Sequence, residues 1–320
     1  MTRPQRRPSR AGRAIVTICG TLLAAVLAGA CDPGVPESPS GAPGPTSRAT
    51  GTSSTSYGTP GGPSTPTATP TPTPQWTATR AWTEKFSGAA GTLPDPSLFS
   101  YQLGGTGWGN HELQTYTSRA ENAALDGQGN LAITARRETY TGTDGTERDW
   151  TSARLHSYDS FAFTYGILSA RIKVPSGPGI WPAFWLVGRD ITEVGWPKSG
   201  EIDIMETVNA AMSVGSTVHG PTSAGRAWQI SHQQPSARSY ADTFHVYSVE
   251  RRKDQITFRI DGVAVAHVVP AQLKPNERWV FEKPMCFLLN VAVGGDLPGS
   301  PTAKTPDEAS MLVDWISFRP

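Results

Sequence analysis

The sequence predicts a single all-β sandwich or barrel, set behind an export segment and a disordered tether. Three observations carry this. From about Ala78 the chain consists of short alternating or wholly apolar runs, turn residues recur between them, and no long segment has helical periodicity.

The strands can be justified in order. Residues 131–135, Leu-Ala-Ile-Thr-Ala, follow the turn-rich stretch 126–130 and read as a strand. In residues 166–174 the even positions are mostly apolar, while Ser169, Arg171 and Lys173 face the other way, the period of a half-buried strand. Residues 256–260 reach Asp261-Gly262 and resume at Val263, a strong hairpin pattern. Residues 285–293 are apolar almost throughout and read as a strand buried on both faces.

The first 77 residues have another character. Arg3, Arg6, Arg7, Arg10 and Arg13 precede an apolar run from Ala14 to Leu27, too short for a permanent membrane span, which ends in Ala28-Gly29-Ala30-Cys31. Ala28 and Ala30 form an A-x-A cleavage site, while Cys31 after small residues resembles a lipobox, imperfect because Ala28 stands in place of the usual Leu. With only three cysteines in the chain, the expectation is a lipoprotein anchored through Cys31, with 1–31 as its signal peptide. Residues 32–77 are Pro, Thr, Ser and Gly with few large apolar groups, so they cannot offset the entropy of ordering and form a semi-rigid spacer. The body, 78–320, keeps Cys286 alone and can form no internal disulfide; a core of about 240 residues must stabilise it. Charge is balanced, 28 basic against 27 acidic residues, which gives no sign of a nucleic-acid partner and suits a neutral substrate; a monomer is expected.

Chemistry concentrates at Ser199-Gly200-Glu201-Ile202-Asp203-Ile204-Met205-Glu206. On a strand Glu201 and Asp203 share one face, and Ile202 and Ile204 enter the core. Strict alternation would bury Glu206 with them at high cost, whereas a β-bulge absorbing Met205 returns it to the face of Glu201. Two carboxylates leaning together across such a strand suit retaining glycoside cleavage, which needs them about 5 Å apart. Asp203 between them raises the proton affinity of its neighbours. Three acids on a solvated strand face are the plain alternative, but aromatic residues crowd the motif. Trp185 continues an apolar strand. Trp108, Trp181 and Trp196 stand beside Gly or Pro and are read as exposed rings that stack on sugars, with burial in the core as the alternative for each.

These residues resemble glycoside hydrolase family 16, specifically its laminarinase-like β-1,3-glucanases. Residues 199–206 and 181–185 carry the resemblance, and further matches at 107–114, 244–250, 289–295 and 313–315 extend it from about Trp82 to Phe318. The resemblance implies a concanavalin A-like β-jelly roll with a substrate cleft on its concave sheet, acting on β-glucan. Glu201 would be the nucleophile, Glu206 the general acid/base and Asp203 the assisting aspartate. It further implies a cleft histidine at His219, near the acid/base, and sugar contacts from Asn110, Arg154 and Asn290. His111, Ala153 and Arg251 depart from the pattern, standing where Asn, Gly and Trp are usual. A glucan-binding lipoprotein without catalysis, an adhesion protein, a transglycosylase, and action on mixed-linkage glucan or galactan are the rival functions. No cofactor is expected for the chemistry. The resemblance does imply a structural calcium bound by Asp314 of the last strand, whose alternation puts it with Leu312, Ile316 and Phe318. Lys85 replaces a usual glutamate and is expected to pair with Asp314 in the ion's stead; the alternative keeps calcium on Glu84 or main-chain oxygens.

Overall fold

The computed structural model describes residues 76–320; Cys31, the expected export segment and nearly all of the expected tether lie outside them. In chain order the strands are β1 (Trp82–Lys85), β2 (Ser100–Gln102), β3 (Thr115–Tyr116), β4 (Ala123–Leu125), β5 (Leu131–Thr141), β6 (Glu147–Ser152), β7 (Arg154–His156), β8 (Gly166–Lys173) and β9 (Ile180–Gly188). A single helical turn, α1 (Ile191–Val194), precedes β10 (Glu201–Glu206). Then follow β11 (Ser213–Pro221), β12 (Ala227–Pro235), β13 (His245–Arg252), β14 (Gln255–Ile260), β15 (Val263–Val268), β16 (Met285–Val293) and β17 (Glu308–Arg319).

They form two sheets. The ten-stranded sheet runs β15-β14-β13-β8-β17-β5-β6-β3, with β1 beside β17 and β4 beside β5; the seven-stranded sheet runs β12-β11-β10-β9-β16-β7-β2. This is the β-jelly-roll sandwich expected. Its core lies between the sheets, where Leu168, Ala170 and Ile172 of β8 and Val313, Ile316 and Phe318 of β17 meet Phe184, Ile202, Val218, Leu289 and Val291. Burying each such aliphatic or aromatic side chain contributes about 1.5–3 kcal/mol. β16 is buried at all nine positions because its outer face floors the cleft while its inner face packs the core. At the β14–β15 hairpin Asp261 (φ 51°) and Gly262 (φ 80°) both take left-handed conformations, which a two-residue turn of matching twist requires.

Two expectations on the ten-stranded sheet are corrected. The register of β17 slips between Val313 and Trp315, so a bulge turns Asp314 away from the face of Ile316 and Phe318. Lys85 is exposed opposite Trp315, and the partner of Asp314 is Arg171, whose Nη1 donates to Oδ2 at 2.5 Å. Arg171 comes from β8, whose outward face the alternation had already identified. Calcium fits poorly at Asp314, because a guanidinium already occupies one of its two carboxylate oxygens. Glu84, the alternative ligand, pairs in register with buried Ile316 and so lies on the opposite face from Asp314; partial burial and nearby Asp95 push its carboxyl up to about 7.

Candidate active site

β10 occupies the middle of the seven-stranded sheet, between β9 and β11. Gly200 leads into it at φ 70°, and a Cβ there would lie 2.9 Å from Val280, so the entry to the acidic strand requires glycine. The bulge inferred from the cost of burying a carboxylate is present. On one side Asp203 pairs with Trp185 and Met205 with Phe184; on the other Asp203 pairs with Thr217 and Glu206 with Gly215. Met205 is fully buried, and Glu206 returns to the face of Glu201 and Asp203.

Register then assembles the cleft floor from residues far apart in sequence. Glu206 pairs with Ala183, Ala183 with Asn290, and Asn290 with Arg154, a row crossing β10, β9, β16 and β7. The Trp181 indole N–H donates to Glu206 Oε1 at 2.9 Å, and the Trp185 N–H donates to Asn290 Oδ1 at 2.8 Å. Arg154 is buried between two indoles, its guanidinium carbon 4.6 Å from the Trp108 ring centre and 4.7 Å from that of Trp185. Behind it Glu112 accepts from Asn110 Nδ2 (3.2 Å), Gln114 Nε2 (2.6 Å) and Tyr116 Oη (3.0 Å), and Tyr116 in turn accepts from Asn290 Nδ2 (3.1 Å). Burial drives the Glu112 carboxyl above its ordinary range, opposed by Arg154 and these three donors.

On the other side of β10, His219 pairs in register with Glu201. Its Nε2 lies 3.0 Å from Asp203 Oδ2 and 3.8 Å from Glu201 Oε1. Burial pushes Glu201, Asp203 and Glu206 each up to about 8, and Asp203 adds repulsion at both glutamates. His219 and Arg154 counteract this at Glu201, while His219 and the Trp181 N–H counteract it at Glu206. One ligand atom each from Glu201, Asp203 and His219 would also converge within 4.8 Å on a cation, the one such group found among the described residues. A row of buried acids with elevated proton affinity is equipped for general acid/base and nucleophilic chemistry on an uncharged bond.

The Glycosyl hydrolases family 16 profile matches residues 110–317, which contain this whole row. The chain belongs to that family. Among curated relatives, a "Beta-glucanase" of Rhodothermus marinus is 36% identical over 73% of this chain and 82% of its own length. Among solved structures, the catalytic domain of an endo-1,3-beta-glucanase (laminarinase) from Thermotoga petrophila superposes with a TM-score of 0.67 at 36% identity, covering 74% of this chain and 95% of that one. LamA of Zobellia galactanivorans, solved with laminaritriose and laminaritetraose, gives 0.66 at 30% identity over 76% and 99%. This family 16 chain is accordingly a glycosidase of the β-glucan-hydrolysing kind.

Most residues singled out in this family 16 sequence meet in the cleft: Glu201, Asp203, Glu206, Asn110, Arg154, Trp181 and Asn290 line one pocket. Trp181 takes the buried alternative, 8% exposed within β9, and meets the pocket through its N–H on Glu206. Trp108 and Trp196 keep partial exposure, and Trp196 stands 6.3 Å from the His219 ring and packs against the cluster that includes Ile191 of α1. Sequence reasoning assigned no role to Glu112, Tyr116 and Trp185. Glu112 lies inside the matched motif at 107–114, and a carboxylate flanked there by amides was the one available hint.

Proposed function

We propose that the chain is a retaining endo-β-1,3-glucanase of the laminarinase type, with Glu201 as nucleophile and Glu206 as general acid/base. The observation that carries this reading is the Met205 bulge, which returns Glu206 to the face of Glu201. His219 and Arg154 both favour the charged form of Glu201. Its carboxylate attacks the anomeric carbon while protonated Glu206 gives its proton to the departing glycosidic oxygen, leaving a glycosyl ester on Glu201. Glu206, now a carboxylate, takes a proton from water as that water attacks the same carbon, and Glu201 departs with configuration retained. Asp203, hydrogen-bonded to His219, assists by keeping the Glu206 proton in place between turnovers.

The test uses laminarin, lichenan, agarose and xyloglucan as substrates and identifies the products, which separates a β-1,3-glucanase from its relatives on other backbones. Glu201→Gln must abolish turnover while glucan binding survives, and Glu206→Ala must be rescued by azide on an activated aryl glycoside with retained configuration. Substantial turnover by Glu201→Gln would overturn the assignment. Beyond the catalytic body we propose export and anchoring through a lipidated Cys31, with 32–77 as the spacer and the protein monomeric. Stable anchoring needs more than one acyl chain. Cys31→Ser should release the protein from membranes or block its processing, and an unmodified N-terminal Cys31 by mass spectrometry would contradict anchoring.

A further inference from the structure

The loop from Gly104 to Glu112 carries Trp108 and Asn110, and its backbone is costly to hold. Trp108 (φ 51°) and His111 (φ 55°) are non-glycine residues in the left-handed region, beside Gly104, Gly107 and Gly109 at φ 111°, 87° and 78°. A bulky residue in that region persists only where its surroundings over-determine it. The far end of the loop is tied to the end of β16 and the turn after it. Leu113 N donates to Val293 O (2.8 Å) and Asp296 N to Asn110 O (2.9 Å). The near end turns on Gly104. Its N–H and carbonyl exchange hydrogen bonds with the Tyr116 backbone, both 3.0 Å, and the same carbonyl accepts from the Trp108 indole N–H at 3.1 Å. The position of Gly104 therefore decides that of the Trp108 ring, which covers the Arg154 guanidinium.

Gly105 is buried, so its peptide groups need partners, and both partners are side chains. Gly105 N–H donates to Asp144 Oδ2 at 2.7 Å, and Gly105 O accepts from Arg148 Nε (2.9 Å) and Nη2 (2.7 Å). Asp144 and Arg148 belong to the β5–β6 hairpin of the ten-stranded sheet, Asp144 in its turn and Arg148 on β6. Gly142 N closes that turn on Thr146 O (2.9 Å), and Asp144 Oδ1 accepts from Thr146 N (3.0 Å), so the carboxylate is aimed before it meets the loop. The approach is close. A Cβ on Gly104 or on Gly142 would lie 2.7 Å from an Asp144 carboxylate oxygen. Neither Asp144 nor Arg148 is among the residues lining the catalytic pocket.

We propose that Asp144 and Arg148 are positioning residues for the substrate site. By clamping the Gly105 peptide they fix Gly104, and with it the Trp108 ring over Arg154. The β5–β6 hairpin thereby sets glucan affinity without touching glucan or the reacting atoms. The proposal rests on the glucan-hydrolase reading above and on Trp108 as a sugar contact. Only the fraction of molecules with the ring in place binds glucan at full strength, so loosening the clamp multiplies the apparent dissociation constant by the inverse of that fraction. Bond cleavage belongs to the carboxylates of β10 and proceeds as before once glucan is seated.

The experiment measures kcat and KM on laminarin for the full chain, wild type and variants. Wild-type cleavage is established first; its absence overturns the hydrolase reading and the clamp with it. Asp144→Ala and Arg148→Met should each raise KM about 5- to 20-fold, the worth of a charge-assisted hydrogen bond whose loss the remaining contacts partly cover. In both, kcat should stay within about two-fold of wild type. Asp144→Asn keeps an oxygen for the Gly105 N–H and should recover most of the wild-type KM. The decisive readout is a cycle with Trp108→Ala. That variant should raise KM by itself, and adding Asp144→Ala should raise it no further, because the clamp acts through the ring. Should Asp144→Ala fail to fold, Arg148→Met, alone and combined with Trp108→Ala, carries the same test. An unchanged KM in the clamp variants overturns the proposal while leaving the hydrolase reading intact. So does a clamp variant that raises KM as much in the Trp108→Ala background as in wild type, or a Trp108→Ala that leaves KM where it was.

Discussion

His219 Nε2 lies 3.0 Å from Asp203 Oδ2, and Asp203 stands between two glutamates whose proton affinity it raises. Asp203→Asn keeps an oxygen for His219 and removes the negative charge. Both glutamates should then release protons more readily, and both limbs of the kcat/KM profile on laminarin should move to lower pH, by about one unit. Stability should respond as well. A carboxyl whose folded pKa is raised to about 8 gives most stability below its unfolded value and loses it as pH climbs toward 8. The melting temperature of Asp203→Asn relative to wild type should therefore be higher at pH 8 than at pH 4.5. Limbs that stay in place would remove Asp203 from the electrostatic argument.

Trp181 acts on the same glutamate with the opposite sign. Its N–H donates to Glu206 Oε1 and favours the charged form. Trp181→Phe keeps most of the buried ring and loses that donor, so Glu206 should hold its proton to higher pH and the alkaline limb should move upward. The step in which Glu206 serves as base should slow, visible as accumulation of glycosyl-enzyme on an activated aryl glycoside. A downward shift of the alkaline limb would contradict the role given to this hydrogen bond.

The unequal legibility of the site has a physical cause. The hairpin at Asp261-Gly262 and the doubly buried β16 are local patterns, readable because turn chemistry and burial act on neighbours in sequence. The Met205 bulge was readable because alternation would otherwise have buried a carboxylate. The same cost operates at Asp314, and the chain answers it with a second bulge; reading β17 as strictly alternating missed this and sent Asp314 toward Lys85. The sandwiching of Arg154 between Trp108 and Trp185, and the linkage of Glu112 through Tyr116 to Asn290, need the pairing of β7, β9 and β16, which no local pattern encodes. Trp181 looked exposed because Pro182 follows it, yet Pro182 sits within β9, where its carbonyl accepts from Thr207 N.

Arg171 and Asp314 make a calcium-independent prediction about the ten-stranded sheet. The pair is about one-third exposed, at 39% and 34%, so its net worth is on the order of 0–1 kcal/mol. EDTA or millimolar calcium should move the melting temperature of the protein by no more than about 2 °C. A large, calcium-reversible drop with EDTA would show that the ion competes successfully with Arg171 for Asp314.

Arg251 stands where the family pattern usually has tryptophan, and the structure shows what replaced the ring. Its side chain is 1% exposed, lies over the Phe163 ring, and donates to the carbonyl oxygens of Phe163, Phe281 and Lys283. Burial pulls its guanidinium down to about 9, with Glu282 the main opposing influence. Two of the three carbonyls belong to the segment that packs Val280 and Phe281 against Gly200, immediately before the catalytic strand. Arg251→Met should leave these carbonyls without their donor and destabilise the protein by about 3 kcal/mol, lowering its melting temperature by roughly 6–12 °C. Arg251→Lys should recover little, because one ammonium cannot serve both ends of the planar fork. Arg251→Trp restores the family residue without the three donors and should remain well below wild type in a thermal melt, since the surrounding carbonyls are placed for a guanidinium. A tryptophan variant as stable as wild type would mean that packing volume, and not hydrogen bonding, is what this position supplies.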